Sequence, residues 1–295
     1  MWNIAPRAGG IKSAPRVYDH GSREGRGMSN VRFDFNGKVA LVTGGASLLG
    51  STIVQAFHAA GAAVVIADVD RARGAAAAQA LGPRALFVRT DITDDAQLAA
   101  LVAAASDRFG GIDFLINSAV IFLDSGLAST REEWLRALNV NVASGAILAR
   151  LVAPMMQARG GGAIVNFSSI AGKFANAGRM LYPASKAAIR QITRNEAIDL
   201  AAHGIRVNCV SPAWTWSDPL KALSGDDRQR ADKVGARLHP LGRIGDAEEV
   251  ANAVVWLCSD GASWITGEDV AVDGGYAMLG PDQGLGPKGW LGGGS

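Results

Sequence analysis

Cysteine is scarce in this chain. Cys209 and Cys258 are the only two among 295 residues. Two thiols cannot build a disulfide framework, which fits a reducing, cytoplasmic setting. The plainer role for both is as small buried apolar side chains. A surplus of one charge is also missing. The 29 basic and 27 acidic side chains leave a formal net charge of +2, which offers neither a nucleic-acid footprint nor a polybasic membrane anchor. No uninterrupted apolar run approaches the roughly 18 residues of a membrane span. Residues 1–30 contain no continuous apolar core of the secretory type. Rich in Gly, Arg, Ser and Pro, they are expected to form a disordered extension. Met28 is a candidate translation start. A transit peptide is the alternative, because Arg7, Lys12, Arg16, Arg23 and Arg26 outnumber Asp19 and Glu24. The Gly-rich tail 281–295 is expected to be irregular.

What is present is a composition with 48% hydrophobic residues, enough for a large buried core. Continuous apolar runs recur at 38–44, 62–68, 84–90, 112–118, 162–169, 204–211 and 268–275. Their lack of alternation predicts strands covered on both faces. Ala- and Leu-rich stretches of helical spacing lie between them, as at 51–61 and 94–110. The pattern predicts one α/β domain over 31–280, a doubly wound, seven-stranded parallel sheet with helices on both faces. Ligands of such a sheet bind outside the C-terminal ends of its strands.

The first run leads into TGGASLLG (43–50). A glycine turn between a strand and a helix offers free backbone N–H groups to a pyrophosphate. Asp68 closes the second run, eighteen residues beyond Gly50, where a carboxylate can accept from ribose hydroxyls. A tight turn followed by a capping Asp is the bland alternative. Leu48 stands where a glycine would let the ligand come close. Gly44, Gly45 and Gly50 remain, and Leu48 sits at the helix start with freedom to point away, so binding is expected to survive.

Tyr182 and Lys186 are four apart in YPASK, which places them on one helix face. A tyrosine titrates at roughly 10, and a neighbouring ammonium favours its phenolate. The pair therefore suits proton transfer to or from a hydroxyl. A structural Tyr and a solvated Lys would share the same spacing. Ser169, thirteen residues before Tyr182, can hydrogen-bond the same substrate oxygen.

On these motifs, residues 36–278 resemble the short-chain dehydrogenase/reductase family, with its Rossmann-type domain. The resemblance implies a catalytic set of Asn141, Ser169, Tyr182 and Lys186. It implies cofactor contacts from Gly44, Ser47, Leu48, Leu49, Asp68, Asp91, Ile92, Asn117, Tyr182, Lys186, Pro212 and Thr215. It also implies hydride transfer between NAD(H) and an alcohol or ketone, and assembly as a homotetramer or homodimer. No metal is implied. Leu48, Val120 and Ala213 replace glycines of the family pattern and add bulk along the cofactor groove. Ser217 replaces a threonine and keeps its hydroxyl.

Three functions remain open on the sequence. One is an NAD-preferring dehydrogenase of secondary alcohols, with an NADP-dependent carbonyl reductase as its variant. Another is a sensor or scaffold that binds cofactor without turnover. The last is a relative that uses the Ser–Tyr pair without nicotinamide. Phe122, Leu123, Phe174, Met180, Trp214 and Trp216 are expected to line an apolar substrate pocket, alongside Ser169. That favours a cyclic or aromatic alcohol over a sugar or polyol. Lys173 and Arg179 are candidates for meeting a carboxylate, or are solvated surface charges. Residues 214–240 are expected to form a helical flap.

Overall fold

Strands made of Val, Ile, Leu and Ala have no polar face to give to water, so both faces need cover. The computed structural model describes residues 32–284 and 286–291. It forms β1 (Val39–Thr43), β2 (Ala63–Asp68), β3 (Ala85–Arg89), β4 (Phe114–Asn117), β5 (Gly162–Phe167), β6 (Ile205–Pro212) and β7 (Asp269–Val272). All pairings are parallel, in the order β3-β2-β1-β4-β5-β6-β7. The helices are α1 (Leu48–Ala59), α2 (Arg71–Leu81), α3 (Asp95–Phe109), α4 (Arg131–Leu138), α5 (Ser144–Ala158), α6 (Leu181–Ala201), α7 (Asp218–Ser224), α8 (Arg228–Gly235), α9 (Ala247–Cys258) and α10 (Gly286–Leu291).

Alternate strand residues feed two cores. Val42, Val64, Ile116 and Val165 pack with Ile53 and Phe57 of α1 and Val254 of α9. Leu41, Val65, Leu115 and Ile164 pack with Leu98 and Leu101 of α3 and Leu148 and Val152 of α5. Each such side chain stabilises the fold by about 1.5–3 kcal/mol. The seven-stranded, doubly wound sheet expected from the sequence is therefore the one observed. The strand order reverses between β1 and β4, which opens a crevice at their C-terminal ends.

α4 and α5 run on from one another through a π-turn at Asn139–Ala143, a feature frequent at functional sites. This continuous helix, Arg131–Ala158, is long and apolar enough to cross a membrane by length and composition. Here it lies on the parallel sheet through Leu148, Ala149, Val152 and Met156. The last strand is shorter than its apolar run, because Gly274 and Gly275 turn the chain with φ of +57° and +85°. The 214–240 segment, expected to be a helical flap, holds two short helices, α7 and α8. In the tail expected to be irregular, Gly286–Leu291 is helical. The proposed extension at 1–30 lies outside the described residues.

Candidate active site

The glycine turn needs its glycines most at Gly44 and Gly50, and Gly45 is also close-packed, its Cβ position 3.0 Å from the Val42 carbonyl oxygen. Gly44 has φ +66°, and a Cβ on it would come within 2.9 Å of the Ala119 Cα. A Cβ on Gly50 would stand 2.1 Å from the Gly44 carbonyl oxygen. Leu48, the first residue of α1, has no such demand. Its side chain is not among those facing the groove, and its amide donates to Asp218 Oδ2 at 2.7 Å. Ser47 caps α1 by accepting from Gly50 N at 3.1 Å. Asp68 braces the turn: Oδ2 accepts from Ala46 N and Oδ1 from Asp70 N, both at 3.0 Å.

A groove of about 1570 Å³ runs from this turn along the strand ends to the flap. Gly44, Ser47, Leu49, Asp68, Asp91 and Ile92 line one end. Ser169, Tyr182, Lys186, Pro212 and Thr215 line the other, with Phe122 and Trp214 beside them. The structure thus gathers most of the sequence-predicted residues into one continuous space. The bulk added at Val120 and Ala213 also faces it.

α6 begins at Leu181 and carries Tyr182 in its first turn. Lys186, only 4% exposed, donates from Nζ to the Phe167 carbonyl at 2.7 Å. Its ammonium stands 5.6 Å from the Tyr182 ring centroid. Burial lowers the Lys186 pKa to about 8. Burial also pushes the Tyr182 phenol up, against side-chain hydrogen bonding with Ser169 and the charge of Arg179. The sequence-based expectation that Lys186 brings the phenol down is not met. Lys186 is committed to a carbonyl, and desolvation outweighs the cations.

Two predicted residues stand behind the groove rather than in it. Asn141 Oδ1 accepts from Ile121 N at 2.9 Å, and its Nδ2 donates to the Ile121 carbonyl at 3.1 Å and Ser185 Oγ at 3.2 Å. It ties the loop after β4 to α6. Asn117, at the end of β4, donates to Asn166 Oδ1 at 2.9 Å and so links neighbouring strands. Among the predicted substrate residues, Phe174 faces Tyr276 at 6.3 Å between ring centroids, outside the groove. Trp216 lies under Lys221 and Arg228 at 5.9 and 5.5 Å. Neither it nor Leu123 nor Met180 lines the groove. Lys173 is held by Asp269 at 3.1 Å, while Arg179 does face the groove.

Three residues escaped sequence reasoning. Asp218 reaches the α1 N-terminus from the flap. Arg73 meets it there, with Nη2 3.4 Å from Asp218 Oδ2. Asp124 binds the start of α6 from the loop after β4. Their partners are far away along the chain, so no local pattern marks them.

A parallel sheet with a glycine turn at its switch point, and a half-buried Tyr182 with a buried Lys186 across the same groove, defines a dinucleotide-dependent oxidoreductase. Sequence comparison makes the class specific. A family profile described as enoyl-(acyl carrier protein) reductase matches residues 44–277. The chain is 38% identical over 255 residues to a cis-4-hydroxycyclohexanecarboxylate dehydrogenase of Sinomonas cyclohexanicum, covering 83% of this chain and 98% of that protein. It is 38% identical over 252 residues to a galactitol 2-dehydrogenase of Agrobacterium fabrum, covering 82% and 98%. It is 35% identical over 249 residues to a 7alpha-hydroxysteroid dehydrogenase of Escherichia coli, covering 83% and 96%. The chain belongs to the short-chain dehydrogenase/reductase family, whose members use a nicotinamide dinucleotide, NAD or NADP.

Proposed function

We propose that this enzyme is an NAD-preferring dehydrogenase of secondary alcohols, able to run in reverse as a ketone reductase, with Tyr182 as the acid–base group. The observation that carries this is the single groove joining the glycine turn and Asp68 to Ser169, Tyr182 and Lys186. The residues fit a dinucleotide. The turn at Gly44 and Gly50 is packed backbone to backbone, with no room for a Cβ at either glycine. Ser47 and Leu49 at the α1 N-terminus would take the pyrophosphate. Asp68 would accept from the ribose hydroxyls, Asp91 and Ile92 would flank the adenine end, and Pro212 and Thr215 the nicotinamide end. When bound, the nicotinamide accepts hydride in oxidation and supplies it in reduction.

The chain's own residues handle the proton. Tyr182 Oη takes it from the alcohol hydroxyl during oxidation and returns it during reduction. Ser169 Oγ hydrogen-bonds the same substrate oxygen and orients it. Lys186, charged below about 8, serves the nicotinamide ribose from its place at the Phe167 carbonyl. Asn141 acts through its grip on Ile121 and Ser185.

Phe122, Leu135, Trp214, Leu220 and Val234 make the substrate end largely apolar, which favours a cyclic secondary alcohol. The hydroxycyclohexanecarboxylate and hydroxysteroid dehydrogenases among its relatives support that class, and the galactitol enzyme keeps a polyol as the alternative. We further propose a cytoplasmic homotetramer or homodimer. Fully exposed Trp264 and largely exposed Met278 support assembly. Cofactor choice follows from Asp68. A 2′-phosphate beside its carboxylate is repelled, whereas two hydroxyls can donate to it. Kinetics of wild type with each cofactor, over a panel of cyclic alcohols, test this. NAD is expected to be favoured by at least about tenfold in kcat/KM, roughly 1.4 kcal/mol, and Asp68→Ala to erode that margin. Equal or better wild-type activity with NADP would overturn the assignment.

A further inference from the structure

The loop between β4 and α4 holds a buried carboxylate that the catalytic set does not use. The Asp124 side chain is 1% exposed. Its nearest cation is Arg179, whose Nε stays 3.7 Å away. Backbone amides satisfy it instead. Oδ1 accepts from Gly126 N at 3.0 Å and from Met180 N at 2.9 Å. Oδ2 accepts from Met180 N and from Tyr182 N, each at 3.0 Å. Burial alone would raise its pKa, but these amides hold the carboxyl below its ordinary range. A buried charge that is fully hydrogen-bonded is a fixed point rather than a liability.

The amides it binds belong to the start of α6. The first turn of a helix has N–H groups with no partner inside the helix, and Met180, the capping residue of α6, supplies no side-chain bond. Asp124 provides that cap from another part of the chain. The same loop is fixed upstream, where Asn141 binds both the N–H and the carbonyl of Ile121. Phe122, between these two anchors, stacks on the Tyr182 ring with centroids 5.0 Å apart. The Arg179 guanidinium also lies over that ring, 5.1 Å from its centroid.

We propose that Asp124 is a positioning residue for Tyr182: it pins the first turn of α6 to the loop after β4 and so sets the phenol in the groove beside Phe122 and Arg179. This rests on Tyr182 being the acid–base group. The charged groups facing Tyr182 are Lys186 on its own helix, Arg179 just before that helix, and Asp124 from the loop. Asp124 is the one anion among them. It opposes Arg179 and the positive end of the α6 dipole. Removing its charge leaves both to favour the phenolate, while removing its second acceptor oxygen frees the first turn of α6.

Asp124→Asn tests both consequences, because one of its two polar atoms becomes a donor facing amide donors. Its kcat for alcohol oxidation is expected to fall by about tenfold to a hundredfold, the scale of a small misplacement of reacting groups. The acid limb of its kcat/KM profile is expected to move to lower pH. NADH affinity, read by fluorescence titration, is expected to stay within about twofold of wild type, since the glycine turn is distant in the groove. Asp124→Glu keeps the charge and is expected to restore the position of the acid limb with only part of kcat. Wild-type kcat and pH profile in Asp124→Asn would overturn the proposal. So would a loss of NADH binding parallel to kcat in both variants, which marks a fold-wide role. Tyr182→Phe run alongside separates the two layers. If it retains turnover, the acid–base assignment itself fails; if it is inactive while Asp124→Asn is unaffected, only the positioning role fails.

Discussion

Gly50→Ala is expected to weaken dinucleotide binding severely, whereas restoring a glycine at 48 changes it little. The added methyl group of alanine would lie 2.1 Å from the Gly44 carbonyl oxygen, 2.8 Å from its carbon and 2.9 Å from the Gly45 Cα. All three atoms are backbone, so no side-chain rotation relieves the overlap, and the turn must recede by roughly 1 Å. On the other side Gly44 has no room even for a Cβ, which would stand 2.9 Å from the Ala119 Cα. Overpacking of this kind costs about 1–3 kcal/mol. If the strain falls on the binding geometry, it corresponds to about tenfold to a hundredfold in Kd. Leu48 meets none of these constraints. A glycine there costs the helix end up to about 1 kcal/mol, so NADH affinity is expected to change by tenfold or less, roughly 1.4 kcal/mol. The assay is an NADH fluorescence titration of wild type and both variants, with thermal melts to confirm folding. Two results refute the reasoning. One is a Gly50→Ala protein that binds like wild type; the other is a wild type that binds nothing and gains binding through Leu48→Gly.

Other outcomes follow from the same geometry. Asp218 holds the Leu48 amide at the α1 N-terminus, where a pyrophosphate would bring a like charge. Its side chain is 44% exposed, so solvent screens part of the repulsion. Asp218→Asn is expected to tighten NADH binding by about threefold to tenfold, and unchanged or weaker binding in the titration contradicts this. The pH response should differ between directions. Oxidation needs the phenolate, which burial of Tyr182 disfavours, so its rate should climb with pH. Reduction needs the phenol together with a charged Lys186, so its rate should fall as pH rises through about 8. A reduction profile that stays flat across that region in stopped-flow or steady-state assays counts against the roles assigned to the pair.

The sheet was legible because its strands are continuous apolar runs, and parallel strands buried on both faces have no reason to alternate. Only ends were misjudged, as at β7, where positive-φ glycines stop an apolar run early. The Tyr–Lys pair was legible because helical spacing is local. Asp124 was not, since Met180 and Tyr182 lie 56 and 58 residues further along the chain. Trp214 and Trp216 read alike in the sequence. Yet cations on the two flap helices, Lys221 and Arg228, lie over Trp216, while Trp214 faces the groove. Arg73 likewise meets a partner, Asp218, 145 residues further along the chain, which no local pattern encodes. The pKa of Tyr182 is a property of burial, which no spacing encodes.

Turnover in Tyr182→Phe, measured beside its NADH affinity, tests the assignment of the acid–base group most directly. Wild type given NAD and a cyclic secondary alcohol is expected to form NADH. The variant keeps Lys186, Ser169 and the whole glycine turn, so its NADH Kd should stay within about twofold. Its turnover should drop by about a hundredfold to ten-thousandfold, the range for losing a positioned acid–base group. Wild-type turnover in Tyr182→Phe, with NADH still bound, would contradict the assignment.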